Sequence, residues 1–189
     1  KVQNEQVLNL PMLATSSIVP DPKMGYDHES GMVMQFLFEG LMTIDEKGAI
    51  AYATAERVEL SKDRTTYHFT LREAKWSNGS PVIAHDFEYA WKRMIDPNFN
   101  TIYSYLFFVI EHAKDAHEKK CPLDKVGVYA EDEKTLVVRL VRPSPYFLEL
   151  TSQWPLFPVN SKTVLNPGWS NVPREPHVAN GPFKLMRFK

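Results

Sequence analysis

A chain of 189 residues with 43% hydrophobic and 24% charged residues is long enough to bury roughly 70% of its unfolded surface and too apolar to stay disordered. Its formal net charge of −1 exerts no overall pull on nucleic acid or on an anionic membrane. The longest apolar run, Tyr105-Leu106-Phe107-Phe108-Val109-Ile110, is far too short to span a bilayer, and a lone cysteine, Cys121, leaves no intrachain disulfide or cysteine metal cluster. The opening Lys1-Val2-Gln3-Asn4-Glu5 is polar, unlike a signal peptide, so the chain reads as cytosolic or as a mature exported form.

In chain order, a strand is expected near residues 6–10, then a loop rich in Pro and Ser through Asp21-Pro22-Lys23-Met24-Gly25. A helix is expected over residues 29–41, where Met32, Phe36 and Leu37 fall on one face. Asp45-Glu46-Lys47-Gly48 reads as a turn. Residues 66–72 carry the pattern of a half-buried strand, Tyr67, Phe69 and Leu71 alternating with Thr66, His68, Thr70 and Arg72. Ser77-Asn78-Gly79 has the residues of a turn with positive φ at Gly79. The helix that follows places Phe87, Ala90, Trp91 and Met94 at i, i+3, i+4 and i+7, and pairs Glu88 with Lys92 on the wet side. Asp86 stands in its first turn, where a carboxylate meets the positive end of the dipole. Trp76 and Trp91 read as core residues. Residues 126–130 and 135–141 form an expected hairpin across Glu131-Asp132-Glu133-Lys134. Strands and helices mix without regular βαβ alternation, so the fold class is a mixed α/β, close to α+β.

Chemical motifs are nearly absent. No glycine-rich phosphate loop and no His-Glu-x-x-His is present. His112 and His117 are five residues apart, a poor spacing for two metal ligands on one helix face. Gly168-Trp169-Ser170-Asn171-Val172 lacks the last glycine of a nucleophile elbow. Asp21, Asp27 and Glu39 offer carboxylates that either pair in space or serve as caps and solvated charges. No enzyme activity, no cofactor and no metal are expected.

A series of motifs in order carries a resemblance. Asp21-Pro22 is followed by Phe38-Glu39-Gly40-Leu41, then Tyr67-His68-Phe69-Thr70-Leu71-Arg72 and Lys75-Trp76-Ser77-Asn78-Gly79-Ser80-Pro81-Val82. Asp86-Phe87, Tyr89, Trp91, Arg93 and Asp96-Pro97 come next. Val126-Gly127-Val128, Lys134-Thr135-Leu136, Pro145-Tyr146-Phe147 and Asn180-Gly181-Pro182-Phe183 complete it. The chain resembles the N-terminal portion of an extracytoplasmic oligopeptide-binding protein, a family 5 solute-binding receptor of ATP-driven peptide importers. The resemblance implies a periplasmic-binding-protein type II-like fragment. Residues 1–38 would start lobe I, 39–159 would form an accessory domain and 160–189 would return into lobe I, with the second lobe absent. Two departures stand out. Ile83 occupies the place where the family has a capping Thr or Ser, which would weaken the helix start by about 1 kcal/mol. Family receptors are also more than twice as long, and the acidic residue that commonly grips the peptide's amino terminus would lie in the missing lobe.

The implied function is a receptor that binds short peptides by their main chain and delivers them to an ABC transporter membrane permease. It would act in the periplasm or outside the membrane of a bacterium, as a mature form whose anchor, if any, lies outside this sequence; no nucleic acid is involved. Alternatives are a related receptor for a dipeptide, a glutathione-like peptide or a metal chelate, and a surface interaction or adhesion module on the same scaffold. By the resemblance, Gly25, Tyr26 and Asp27 would pair with the peptide main chain, and Tyr103, or Ile102 in a shifted alignment, would hold an aromatic position at the peptide. Trp154 and residues 180–183 would line the cleft near the hinge. Each has a plainer reading, as a surface turn for 25–27 and as a core or interface side chain for Tyr103.

Overall fold

The computed structural model describes residues 7–10, 20–23, 27–99, 101–165, 169 and 177–186. Residues 7–10 form no strand, and residue 6 of that expectation lies outside the described residues. The first helix, α1, spans His28–Leu37, starting one residue earlier and ending four residues earlier than its periodicity suggests. Asp27 caps it: its Oδ1 accepts the Ser30 amide at 2.7 Å, which satisfies an otherwise orphan donor. Phe38 is extended at φ −126° and ends the helix, and Phe38, Gly40 and Leu41 are buried.

Two short strands follow, β1 (Met42–Ile44) and β2 (Ile50–Tyr52), paired antiparallel around the expected turn. Asp45 shapes that turn, its Oδ1 accepting the amides of Lys47 and Ala49 at 2.8 Å. The main sheet has four antiparallel strands in the order β3-β4-β6-β5. These are β3 (Ala55–Leu60), β4 (Thr66–Leu71), β5 (Val128–Ala130) and β6 (Thr135–Arg139). β3 escapes sequence reading because Glu56, Arg57 and Glu59 leave it no apolar alternation. It is an edge strand, where charge discourages pairing with another chain. The β5–β6 hairpin is shorter than expected: the Gly127 carbonyl still accepts the Arg139 amide, but Gly127 N donates to the Glu111 carbonyl and Val141 N to the Val109 carbonyl.

Helix α2 (Ala84–Ile95) covers one face of the sheet with Phe87, Ala90, Trp91 and Met94, all buried. The Trp91 ring meets Phe107 and Phe147 edge-on, and its Nε1 donates to the Leu156 carbonyl at 2.8 Å. Phe147 opens the short helix α4 (Phe147–Leu150) and packs on Tyr67 of β4 at 4.9 Å. One more short helix, α3 (Ala113–His117), and a 3₁₀ turn over Ser104–Phe107 close the far side of α2.

The start of α2 lacks a side-chain cap at Ile83, as expected, and two other contacts hold it. Ile83 has no side-chain acceptor, but Asp86 reaches back and accepts the Ile83 amide at 3.2 Å, and the Glu133 carbonyl accepts from Ala84 at 2.8 Å. The same carboxylate accepts Trp76 Nε1 at 2.9 Å and both the amide and the hydroxyl of Ser161 at 2.9 and 2.8 Å. One buried side chain thus ties together the turn, the helix and the segment that returns beneath them. The turn itself closes through Gly79 N donating to the Trp76 carbonyl, with Gly79 at φ +88°.

Candidate ligand-binding site

The carboxylates Asp21, Asp27 and Glu39 do not pair with one another among the described residues; each has its own partner. Asp27 caps α1. Glu39 accepts from Arg72 Nη2 at 2.6 Å and from the Thr54 hydroxyl at 3.2 Å. Asp21, 1% exposed, holds Arg93 Nη2 at 2.9 Å, joining the segment before α1 to the C-terminal end of α2. Among the described residues no three His, Cys, Asp or Glu side chains gather as a metal site. No helix is long and apolar enough to cross a membrane.

Gly25 and Tyr26 lie outside the described residues. Asp27 and Tyr103 are both described, and Trp154 links their neighbourhoods. α1 approaches the Trp154 indole so closely that a Cβ on Gly31 would lie 2.9 Å from its Nε1. On its other side Trp154 takes Tyr103 edge-on, with ring centroids 4.8 Å apart. Trp154 thus packs between Gly31 of α1 and the Tyr103 ring. Of the two residues the resemblance leaves open, Tyr103 is half-buried in that pair, whereas Ile102 is 60% exposed and turned to solvent. Asp27 is exposed, with one oxygen committed to the cap.

Residues 177–183 pack on the C-terminal end of α1 and the segment after it. The Asn180 side chain both accepts the Glu39 amide at 3.1 Å and donates to the Glu39 carbonyl at 3.0 Å. Gly181 N and Phe183 N donate to the carbonyls of Leu37 and Phe36. Phe183 meets Phe36 edge-on at 5.6 Å. The turn of residues 75–81 holds the other end, with Ser77 N donating to the Ala179 carbonyl. A Cβ at Gly181 would stand 2.5–2.7 Å from the backbone of Leu37 and Phe38. Gly181→Ala is therefore expected to cost about 2–3 kcal/mol through a backbone displacement that no rotamer can relieve. Chemical denaturation checks this, and a loss within a few tenths would refute the close packing.

A buried polar cluster adjoins the Asp21–Arg93 pair, and nothing in the sequence signalled it. Lys23 is 1% exposed, and its Nζ lies 3.9 Å above the Phe99 ring with no hydrogen-bond partner. Burial, and then the Arg93 charge, push its pKa down to about 5 against the pull of Asp21 and Asp96. His177 is also buried, stacked on Trp169 and edge-on to Phe38. Burial pushes its pKa down as well.

The chain belongs to the bacterial extracellular solute-binding proteins of family 5, whose middle-region profile matches residues 49–189. It is 44% identical over 170 residues to the oligopeptide-binding protein OppA of Bacillus subtilis, covering 89% of this chain and 31% of that protein. The dipeptide-binding protein DppE of the same organism is 42% identical over 171 residues, again 89% and 31% of the two chains. Among solved structures, Listeria monocytogenes OppA bound to peptide superposes with a TM-score of 0.84 at 36% identity, over 90% of this chain and 34% of that one. The chain thus spans about a third of the length of these relatives, and its type II binding-protein fold is that of the corresponding third.

Proposed function

We propose that this chain is the N-terminal part of an extracytoplasmic receptor that binds oligopeptides by their main chain and passes them to an ABC transporter permease, without catalysis. The observation that carries this reading is the likeness of nine-tenths of the chain to a receptor solved with peptide bound. A non-catalytic role accords with carboxylates that are each engaged in a cap or an ion pair. Location in the periplasm or outside the membrane follows the family's extracellular character. Residues 1–38 would begin lobe I, 39–159 make the accessory domain and 160–189 re-enter lobe I. The main-chain bonds from Gly181 and Phe183 to Leu37 and Phe36 support one shared layer for the two flanks. Gly25, Tyr26, Asp27 and Tyr103 would then contact the peptide.

Calorimetry with a pool of tri- to pentapeptides tests the reading, first on this chain and then on the longer receptor. Asp27→Ala and Tyr103→Ala are each expected to weaken binding about tenfold, or about 1.4 kcal/mol. Unchanged affinity in both variants would remove these residues from the site. Absence of peptide binding by the longer receptor would overturn the function itself.

A further inference from the structure

Away from the Tyr103–Trp154 surface, a groove of about 680 Å³ opens between the 3₁₀ turn and the connection from β6 to α4. One wall is Tyr105 and Phe108, and the other is Val141 and Tyr146. Tyr105, Val141 and Tyr146 are 60%, 64% and 50% exposed, a concentration of apolar side chain in water that scattered surface residues do not produce. The two walls are fastened to each other by main chain. Val141 N donates to the Val109 carbonyl at 3.0 Å, Glu111 N donates to the Arg139 carbonyl at 2.8 Å, and Ile110 and Leu140 form a bridge pair. The backbone of the groove is therefore preformed.

Its charged lining is of one sign. Arg142 and Lys114 are the only ionisable side chains on it besides the two tyrosines. Arg142 has no ion-pair partner among the described residues. Lys114 has only a long, solvent-exposed contact to Glu118 at 3.8 Å, which holds it weakly. An apolar trough of ligand-sized volume with two cations at its edge is complementary to a molecule that is apolar along its length and anionic at one end. We propose that this groove is a second ligand site, taking an amphipathic carboxylate whose apolar chain lies on Tyr105, Phe108, Val141 and Tyr146 and whose head meets Arg142 and Lys114. The proposal is independent of peptide recognition, because the 3₁₀ turn directs Tyr103 to Trp154 and Tyr105 to the groove.

Sodium dodecanoate below its micelle concentration is the probe, with dodecyltrimethylammonium as a control of equal chain length and opposite charge. Calorimetry on the purified chain should give saturable one-to-one binding of the carboxylate and none, or at least tenfold weaker binding, of the ammonium. Reversal of both cations, Lys114→Glu with Arg142→Glu, should weaken dodecanoate at least tenfold while leaving the melting temperature unchanged, since both side chains are largely in solvent. Arg142→Gln is the milder variant if the double reversal alters folding, and an intermediate loss is expected from it. Tyr105 and Tyr146 ring resonances should shift on titration, and those of Tyr103 should not. Absence of saturable binding, equal binding of the two surfactants, or indifference to the charge variants would each overturn the assignment.

Discussion

Asp86→Ala should be the most damaging single substitution outside the aromatic core, lowering stability by about 3–5 kcal/mol. The carboxylate is 2% exposed and accepts four hydrogen bonds, from Trp76 Nε1, the Ile83 amide, and the amide and hydroxyl of Ser161. Truncation strands those donors, and each buried unsatisfied group costs about 1–3 kcal/mol, less whatever water can reach. The damage is not confined to the helix cap, because the three donor residues belong to the turn before α2, its N-terminus and a segment 75 residues further on. Asp86→Asn separates charge from shape. Donors converge on both carboxylate oxygens, and an amide can present an acceptor to only one of those sites. Asn should therefore recover little, leaving a loss of about 2–4 kcal/mol. Urea unfolding followed by tryptophan fluorescence measures both variants. A loss under about 1 kcal/mol for Asp86→Ala would sink the claim that this carboxylate ties the three segments together.

The second large effect has the opposite sign. Lys23→Met should raise stability at neutral pH by about 2–4 kcal/mol, because the native protein keeps a lysine where its charge is disfavoured. The folded-state pKa of about 5 lies below the ordinary lysine value of 10.5. Between those two values the unfolded chain binds more protons than the folded one, so stability rises with pH across that window. The penalty is greatest below about pH 5 and vanishes above about pH 10.5. Methionine fills a similar volume and keeps the backbone bond from residue 23 to Asp21 Oδ1 at 3.0 Å. The wild-type slope of stability between pH 7 and 9 should approach 1.4 kcal/mol per pH unit from this group alone, and the methionine variant should lack that component. His177 titrates lower and contributes below about pH 6.5, outside the comparison. Equal slopes in the two proteins would mean that Lys23 stays protonated, held by the Phe99 face and by Asp21 and Asp96.

These two residues also divide what could be read along the chain from what could not. Asp86 was legible as a first-turn carboxylate, since its place four residues ahead of Ala90 and Trp91's face is a local fact. Its link to Ser161 was not, because nothing near residue 86 reports what packs on it from residue 161. Lys23 read as part of a polar loop; only the fold turns it over Phe99 and buries it beside Arg93. The candidate site behaves the same way. Asp27, Tyr103 and Trp154 all came from resemblance, and that Trp154 packs between Gly31 of α1 and Tyr103 comes only from the fold.

By itself the sequence determined the elements whose pattern repeats within a few residues. These are the alternation of β4, the apolar stripe of α2, the β5–β6 hairpin and the positive-φ turn at Gly79. A period of 2 or 3.6 residues is set by local backbone geometry and needs no partner. Tertiary structure alone decided where α1 stops, that the charged segment 55–60 is an edge strand, and which carboxylate meets which cation. Those outcomes depend on the free energy of burying or pairing groups tens of residues apart, and that energy exists only once the chain has brought them together.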